Sequence, residues 1–483
     1  TPEAEQIKRE GKDLTARLLK DDKISEKDQQ TLQQKLSIFD QLTVDVAIQN
    51  GEIEQALILA ETSKNTCLRW LLNIDIIPDI TYSQIQSKLN TNTVAIYWHL
   101  SPISLTTFII LANSKLEYIT LNYNIENERI NLQQWEDWLT QWNEDYMQCR
   151  QTKTETKTSS WFEKIETRLQ QLSKILQIDT LKTYLNSEIN TLLLIPHRDL
   201  HRLPLQYFFD DYICNYIPSF AMITSEVEDN SSSSLEESSD NLLLVENPKH
   251  KGYKGSLYST GIEAALIKKQ FSKQFSPVNH LKDDPDDKTK RITAEKLIQE
   301  LKKPYNIFHF NGHGNYNQGT PRHSCLFLSD DETLTTETIV KKLDLQTYKL
   351  VTLAACETAV TGNETITSEY VGLVSGFLHV GVKNILSTLW TVESFTTTLF
   401  MVEFYTNLQK YPPNISLKET QNWLKTLTKP ALLDWLTDNK EKVDSYSRIL
   451  LEQEIKRITK EIKEEYPYHN PYYWSAFIIS GRE

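Results

Sequence analysis

Apolar positions recur at helical spacing through the first 75 residues. Leu14, Leu18 and Leu19 form one set, and Leu32, Leu36, Phe39 and Leu42 another. Each set lines one side of a helix, so helices are predicted. Gly51 punctuates, and Ile53, Leu57, Leu59 and Ala60 open a further amphipathic run that ends near Leu72. After Pro78 the pattern changes to short apolar runs. Residues 94–98, 107–111 and 116–121 predict strands. Residues 135–142 and 161–175 predict helices, separated by the polar stretch QTKTETKTSS at 151–160. Residues 192–195 read as a short buried strand closed by Pro196. The run from Val94 to Ala112 has no Asp, Glu, Lys or Arg. His99, Ser101, Pro102, Thr106 and Thr107 interrupt it, so two β runs around a Ser-Pro turn fit better than a membrane span.

This α/β region ends near Ser225. The segment EVEDNSSSSLEESSD at 226–240 is acidic and serine-rich with a single leucine. It has nothing to bury and is expected to be a linker. From Asn241 onward strands and helices alternate: strands at 242–248, 305–310, 325–329, 349–355, 383–390 and 474–481, helices at 261–275, 294–301, 335–343, 370–380 and 395–408, and long helical material to about Tyr466. Alternation of this kind predicts a mostly parallel sheet with helices on both faces, whose active residues gather at the carboxyl ends of the strands. The expected division is 1–75 helical, 76–225 a first α/β unit, 226–240 linker and 241–483 a second α/β unit.

Composition narrows the function. The 483 residues carry 52 basic and 65 acidic side chains, a formal charge of −13. A net-acidic chain lacks the electrostatic footprint of a phosphate-backbone binder, so direct nucleic-acid binding is not expected. Neither is a membrane partner. The five cysteines are widely spaced with no CxxC, which argues against a disulfide framework and a thiolate zinc site and points to a reduced, cytoplasmic setting. A chain that begins at Thr1 is expected to be a processed or excised form, and its charged start does not fit a signal peptide.

Two strand ends carry candidate chemistry. FHFNGHG at 308–314 puts His313 between two glycines just past a strand, and VTLAACET at 351–358 puts Cys356 just past another. A βαβ unit returns the chain to the same edge, so the two side chains can meet at one rim. An imidazole beside a thiol takes its proton or pairs with the thiolate, which suits nucleophilic catalysis. Gly312 and Gly314 allow close backbone approach to a substrate, and their N–H groups are candidates to face an oxyanion. His309, His313, His323 and Cys325 raise a metal site as an alternative. Residues 309 and 313 lie about 13 Å apart along a strand, too far to share one ion. His197, Arg198, His201 and Arg202 form a basic cluster, read either as a dock for an acidic segment or as caps around a turn. The DDPDD run at 283–287 lacks the spaced ligands of a calcium loop. No metal or other cofactor is expected.

The segments FHFNGHG, PRHSCLFLSD, LVTLAACETAVTG, GLVSGFLHVGVKNILSTLWTVES, TTLFMVEFYTNL and NPYYWSAFIISG follow one another in the order seen in the CHAT family. These are caspase-like peptidases found behind TPR helices and distantly similar to separase. LLLIPHRDLHRLPLQYF at 192–208 and AETSKNTCLRWLL at 60–72 resemble that family's upstream signatures, and EQALILAETSKNTCLRWLL resembles the last repeat of a TPR-type array. The resemblance covers roughly residues 50–483. It implies a His313–Cys356 dyad and two caspase-like units, the first degenerate and the second active. Ala354-Ala355-Cys356 stands where the family usually has Ser-Ala-Cys, Ala359 replaces a common glycine, and Val382 a common alanine. None of these changes removes the dyad.

The resemblance further implies a cysteine endopeptidase that cuts a protein substrate, with backbone N–H groups of Gly314 and Cys356 as oxyanion hole. In caspase-like folds the strand after the nucleophile strand contributes to the pocket for the side chain before the cut. Here it ends in Trp390, Thr391, Val392 and Glu393, and a carboxylate at Glu393 favours a basic residue there. Glu393 also suits the start of the next helix. Glu357 and Asp330 are further acidic candidates. A regulatory protein partner at the N-terminal helices is expected to gate activity. The alternatives are a catalytically idle scaffold that binds a client, and a different thiol-dependent hydrolase or acyltransferase on the same dyad.

Overall fold

The computed structural model describes residues 26–74, 79–122, 132–151, 160–224, 241–250, 257–274, 278–284, 287–317, 320–356 and 372–481, with Glu10 and Arg17. Leu14, Leu18, Leu19, the 226–240 segment, Glu357 and Ala359 lie outside the described residues.

Two helices, α1 (Glu26–Gln49) and α2 (Ile53–Leu72), form the amino-terminal hairpin. Gly51 turns it with a φ of +77°, a left-handed conformation that glycine adopts without a Cβ penalty. Then follow β1 (Thr93–Leu100), β2 (Ser104–Leu111), β3 (Glu117–Asn122), α3 (Leu132–Gln151), α4 (Ser160–Ile175), β4 (Thr191–Ile195) and β5 (Ile213–Tyr216). The charge-free run is the antiparallel pair β1–β2, with Leu100 opposite Leu105 across the Ser-Pro turn. No helix among the described residues is long and apolar enough to cross a membrane.

The second half contains β6 (Leu242–Glu246), α5 (Thr260–Gln274), β7 (Val278–Lys282), α6 (Ala294–Leu301), β8 (Ile307–Asn315), β9 (Cys325–Phe327), β10 (Thr333–Thr335), α7 (Thr336–Lys342), β11 (Leu350–Cys356), α8 (Leu373–His379), β12 (Asn384–Thr388), α9 (Ser394–Leu408), α10 (Pro413–Thr426), α11 (Lys429–Lys440), α12 (Ser445–Glu461) and β13 (Phe477–Gly481). All the strands join one mostly parallel sheet in the order β10-β9-β8-β11-β12-β13-β5-β4-β1-β2-β3, with β6 and β7 branching from β8. The halves meet where β13 pairs in parallel with β5, Ser480 opposite Tyr216.

One sheet face carries a single apolar core that runs through both halves. At its centre three indoles meet: Trp142 and Trp161 from the first half and Trp390 from the second, with ring centroids 5.4–6.2 Å apart. On the other face the core is divided. One part covers the first half and includes Ala56, Leu57 and Ala60 of α2. The other covers the second half and includes Cys67, Leu68, Leu71 and Leu72 of the same helix. Buried polar groups hold α2 in place. Lys64 Nζ donates to the Pro196 carbonyl at 2.6 Å, and Glu61 Oε1 accepts the Ala221 N–H at 3.0 Å.

Candidate functional site

Strand β8 is longer than its apolar pattern predicts. It runs through Asn311, Gly312, His313 and Gly314 to Asn315, so His313 lies within the strand and not past its end. Asn and Gly are poor strand formers, but pairing partners hold this stretch on both sides. On one side β6 pairs as far as Asn311, and β9 takes over at Gly314, opposite Leu326. On the other side β11 runs alongside the strand from Leu350 to Cys356. Gly312 is required there by packing. A Cβ at that position would stand 2.9 Å from the Phe310 ring and 3.2 Å from Pro248, closer than carbon atoms pack.

The register of β8 and β11 brings the two candidate residues together. Cys356 is the direct parallel partner of His313, as Thr352 is of His309. Neighbouring strands lie about 4.8 Å apart, so the two backbones are adjacent at the carboxyl rim. Strand β12 pairs with β11 only through Thr352. Beyond that point β8 and β11 project together as the rim of the sheet.

Below the rim lies a buried polar network that the sequence reading missed. His309 and Glu263 are about 1% exposed, and His309 Nε2 stands 2.9 Å from Glu263 Oε1. Nδ1 of His309 faces two hydroxyls, Thr352 Oγ1 at 2.6 Å and Tyr405 OH at 3.1 Å, themselves 2.8 Å apart. Thr398 Oγ1 donates to the second Glu263 oxygen at 3.3 Å. His309 is therefore engaged in this network. Among the described residues no cluster of three or more His, Cys, Asp or Glu side chains is placed to hold a metal ion.

The conserved-domain model for the CHAT domain matches residues 166–482. The chain belongs to the CHAT domain family. A search of curated proteins finds no match. Among solved structures, the separase–securin complex of Saccharomyces cerevisiae is similar at a TM-score of 0.51 and 13% identity, over 89% of this chain and 34% of that one. This chain thus spans about a third of the separase chain. The complex of pro- and mature domains of Porphyromonas gingivalis RgpB is similar at a TM-score of 0.32 and 11% identity, over 72% of this chain and 75% of that one. The CHAT fold here is a mixed α/β, caspase-like one, in keeping with the separase likeness.

The remaining candidates of the CHAT domain have partners of their own, away from the His309 network. Glu393 is the residue before α9, about a third exposed, with Thr396 Oγ1 donating to it at 3.4 Å and Arg457 Nη2 forming an ion pair with it at 3.9 Å. Trp390 is 2% exposed, and its indole N–H donates to the Tyr472 carbonyl at 3.0 Å, so it offers a substrate almost no surface. Asp330, in a left-handed conformation at φ 56°, is 45% exposed and 3.8 Å from Arg291 Nε. The basic cluster is largely inside the protein. His197 Nδ1 accepts the Leu100 N–H at 2.9 Å, and Arg202 pairs with Asp199 and Asn143. Asp283 is buried and accepts from Lys249 N and Ser329 Oγ, both at 2.7 Å. Burial pushes the Cys214 thiol up to about 12 and the Cys325 thiol up to about 11, which makes both poor nucleophiles at neutral pH.

Proposed function

We propose that the chain is a cysteine endopeptidase with Cys356 as nucleophile and His313 as its base. The observation that carries this reading is the parallel register of those two residues at the carboxyl rim. The caspase-like fold supports it. In the proposed cycle the imidazole of His313 takes the thiol proton, and the thiolate attacks the scissile carbonyl carbon. The oxyanion that forms accepts from the backbone N–H groups of Gly314 and Cys356. The C–N bond breaks, and the imidazolium returns its proton to the leaving amine. Water, deprotonated by the imidazole, then cleaves the thioester and restores the thiol.

Glu393 is proposed to receive a basic side chain before the cut, sharing its carboxylate with Arg457, with Glu357 and Asp330 as further acidic groups. Residues 76–225 are read as a degenerate caspase-like unit and 241–483 as the active one. A protein partner at TPR-like helices within residues 1–75 is proposed to gate activity. Helix α2 supports such gating because its first half packs in one core and its last turns pack in the core under β8, β9 and α8.

The test is a peptide library varied at the residue before the cut, incubated with wild type and Cys356→Ala. Products formed by wild type and absent with Cys356→Ala support the reading. Identical absence of cleavage, in a protein whose Cys356 still reacts with a small electrophile and in the presence of its partner, points to an idle scaffold.

A further inference from the structure

The His309 network takes no part in the proposed chemistry, yet it is built from the two strands that carry the dyad and two of the helices that cover that face. His309 belongs to β8, Thr352 to β11, Glu263 to α5, and Tyr405 and Thr398 to α9. All five residues are 0–1% exposed. The His309–Thr352 pair is the register partner pair four residues below His313–Cys356.

A buried histidine–carboxylate contact is a poor way to gain stability, because desolvation offsets most of the attraction and apolar replacements often do as well. Its distinguishing property is direction. Hydrogen bonds of 2.6–2.9 Å fix an angle and a distance, whereas apolar side chains slide. The 2.9 Å contact between His309 Nε2 and Glu263 Oε1 anchors one end of the ring. That fixes the ring and aims Nδ1 at the hydroxyls of β11 and α9. We infer that His309, held by Glu263, is a positioning residue that locks β8 against β11 and so sets the spacing of His313 and Cys356 at the rim. The inference rests on the dyad reading and assigns His309 no contact with substrate.

The experiment is alkylation of Cys356 by iodoacetamide across pH, mapped by mass spectrometry in the intact chain, which reads the thiolate without any substrate. Wild type, His313→Ala, His309→Gln, Thr352→Val, Tyr405→Phe and the Thr352→Val/Tyr405→Phe double variant are compared, with thermal midpoints recorded for each. Leu436→Ala, which removes a buried side chain from α11, serves as a destabilised control. The double variant leaves Nδ1 facing no hydroxyl while preserving shape, so it keeps the test alive should His309→Gln fail to fold. The wild-type profile is expected to have its midpoint below that of an ordinary thiol, and His313→Ala to raise it. The double variant is expected to raise it by about one pH unit, roughly a tenfold loss of thiolate near neutrality, and Leu436→Ala to leave it in place. A double variant with the wild-type profile, or a shift equal to that of Leu436→Ala, overturns the positioning role while the dyad stands. A wild-type midpoint that is ordinary and indifferent to His313→Ala removes the dyad and the inference with it.

Discussion

Ser480 of the last strand pairs in parallel with Tyr216 of β5, and this contact turns two sets of strands into one sheet. Side chains reinforce it, with Gln206 Nε2 donating to the Ser475 carbonyl at 2.9 Å. Chain continuity through 226–240 is therefore not needed to hold the halves together. A protease site placed in that segment and cut to completion is expected to leave both fragments in one peak on non-denaturing size exclusion. Fragments that separate would show that the apolar core across the seam is too weak to stand alone.

For the dyad, Cys356→Ala and His313→Ala are each expected to lower kcat/KM by on the order of a thousandfold or more, with the loss in kcat and little change in KM. A loss confined to KM would mean that these residues bind substrate without reacting with it.

At Glu393 a neutral amide removes the charge and keeps the shape. Glu393→Gln is expected to reduce cleavage after Arg or Lys roughly 10- to 100-fold relative to neutral residues, the range for one hydrogen bond to a charged group. Unchanged preference in the peptide library would return Glu393 to a role at the start of α9 and beside Arg457.

Helix α2 offers a direct check on gating. Leu57 and Leu68 are both fully buried, the first in the core of the first half and the second in the core beneath the rim. Each Leu→Ala change is expected to cost about 2–5 kcal/mol in urea denaturation. Only Leu68→Ala is expected to slow Cys356 alkylation in the folded protein. Equal effects on alkylation would leave α2 as packing alone.

The start of α12 gives a pH signature. The Asp444 carboxylate accepts the N–H groups of Tyr446 at 2.9 Å and Ser447 at 3.0 Å. The backbone bond from Ser447 leads the causes that hold its pKa below the ordinary value of 3.8. A folded pKa lower than the unfolded one adds stability above the unfolded value, and that stability is lost as pH falls through the folded pKa. Asp444→Ala is expected to cost about 1 kcal/mol at pH 7, and the gap to wild type to narrow as pH falls below 3.8 and through the lowered folded pKa. A gap that does not narrow at all with acid would mean that the cap does not depend on the charge.

Much of this architecture is legible in the residues. The apolar runs around Ser101 and Pro102 became β1 and β2, and the alternation after Asn241 became the mostly parallel sheet. What escaped the pattern was short or masked by composition. Strands β5, β7 and β10 are three to five residues with mixed polarity, too short for a two-residue period to emerge. Asn311, Gly312 and Gly314 read as lying past the end of β8, and they belong to the strand because three neighbouring strands supply its hydrogen bonds. In the sequence His309 stands out only as a metal-ligand candidate. Its partners Glu263, Thr352 and Tyr405 lie 43 to 96 positions away, so only folding brings them together. The one local signal was a histidine inside an apolar strand run, which a buried partner must satisfy.

The meeting of Trp142, Trp161 and Trp390 has a practical consequence. Indole emission responds to the polarity around the ring, and two of these rings are carried by one half and the third by the other. Steady-state fluorescence can therefore follow whether the seam loosens when a partner binds or a loop is cut, with no dye attached and no substrate known.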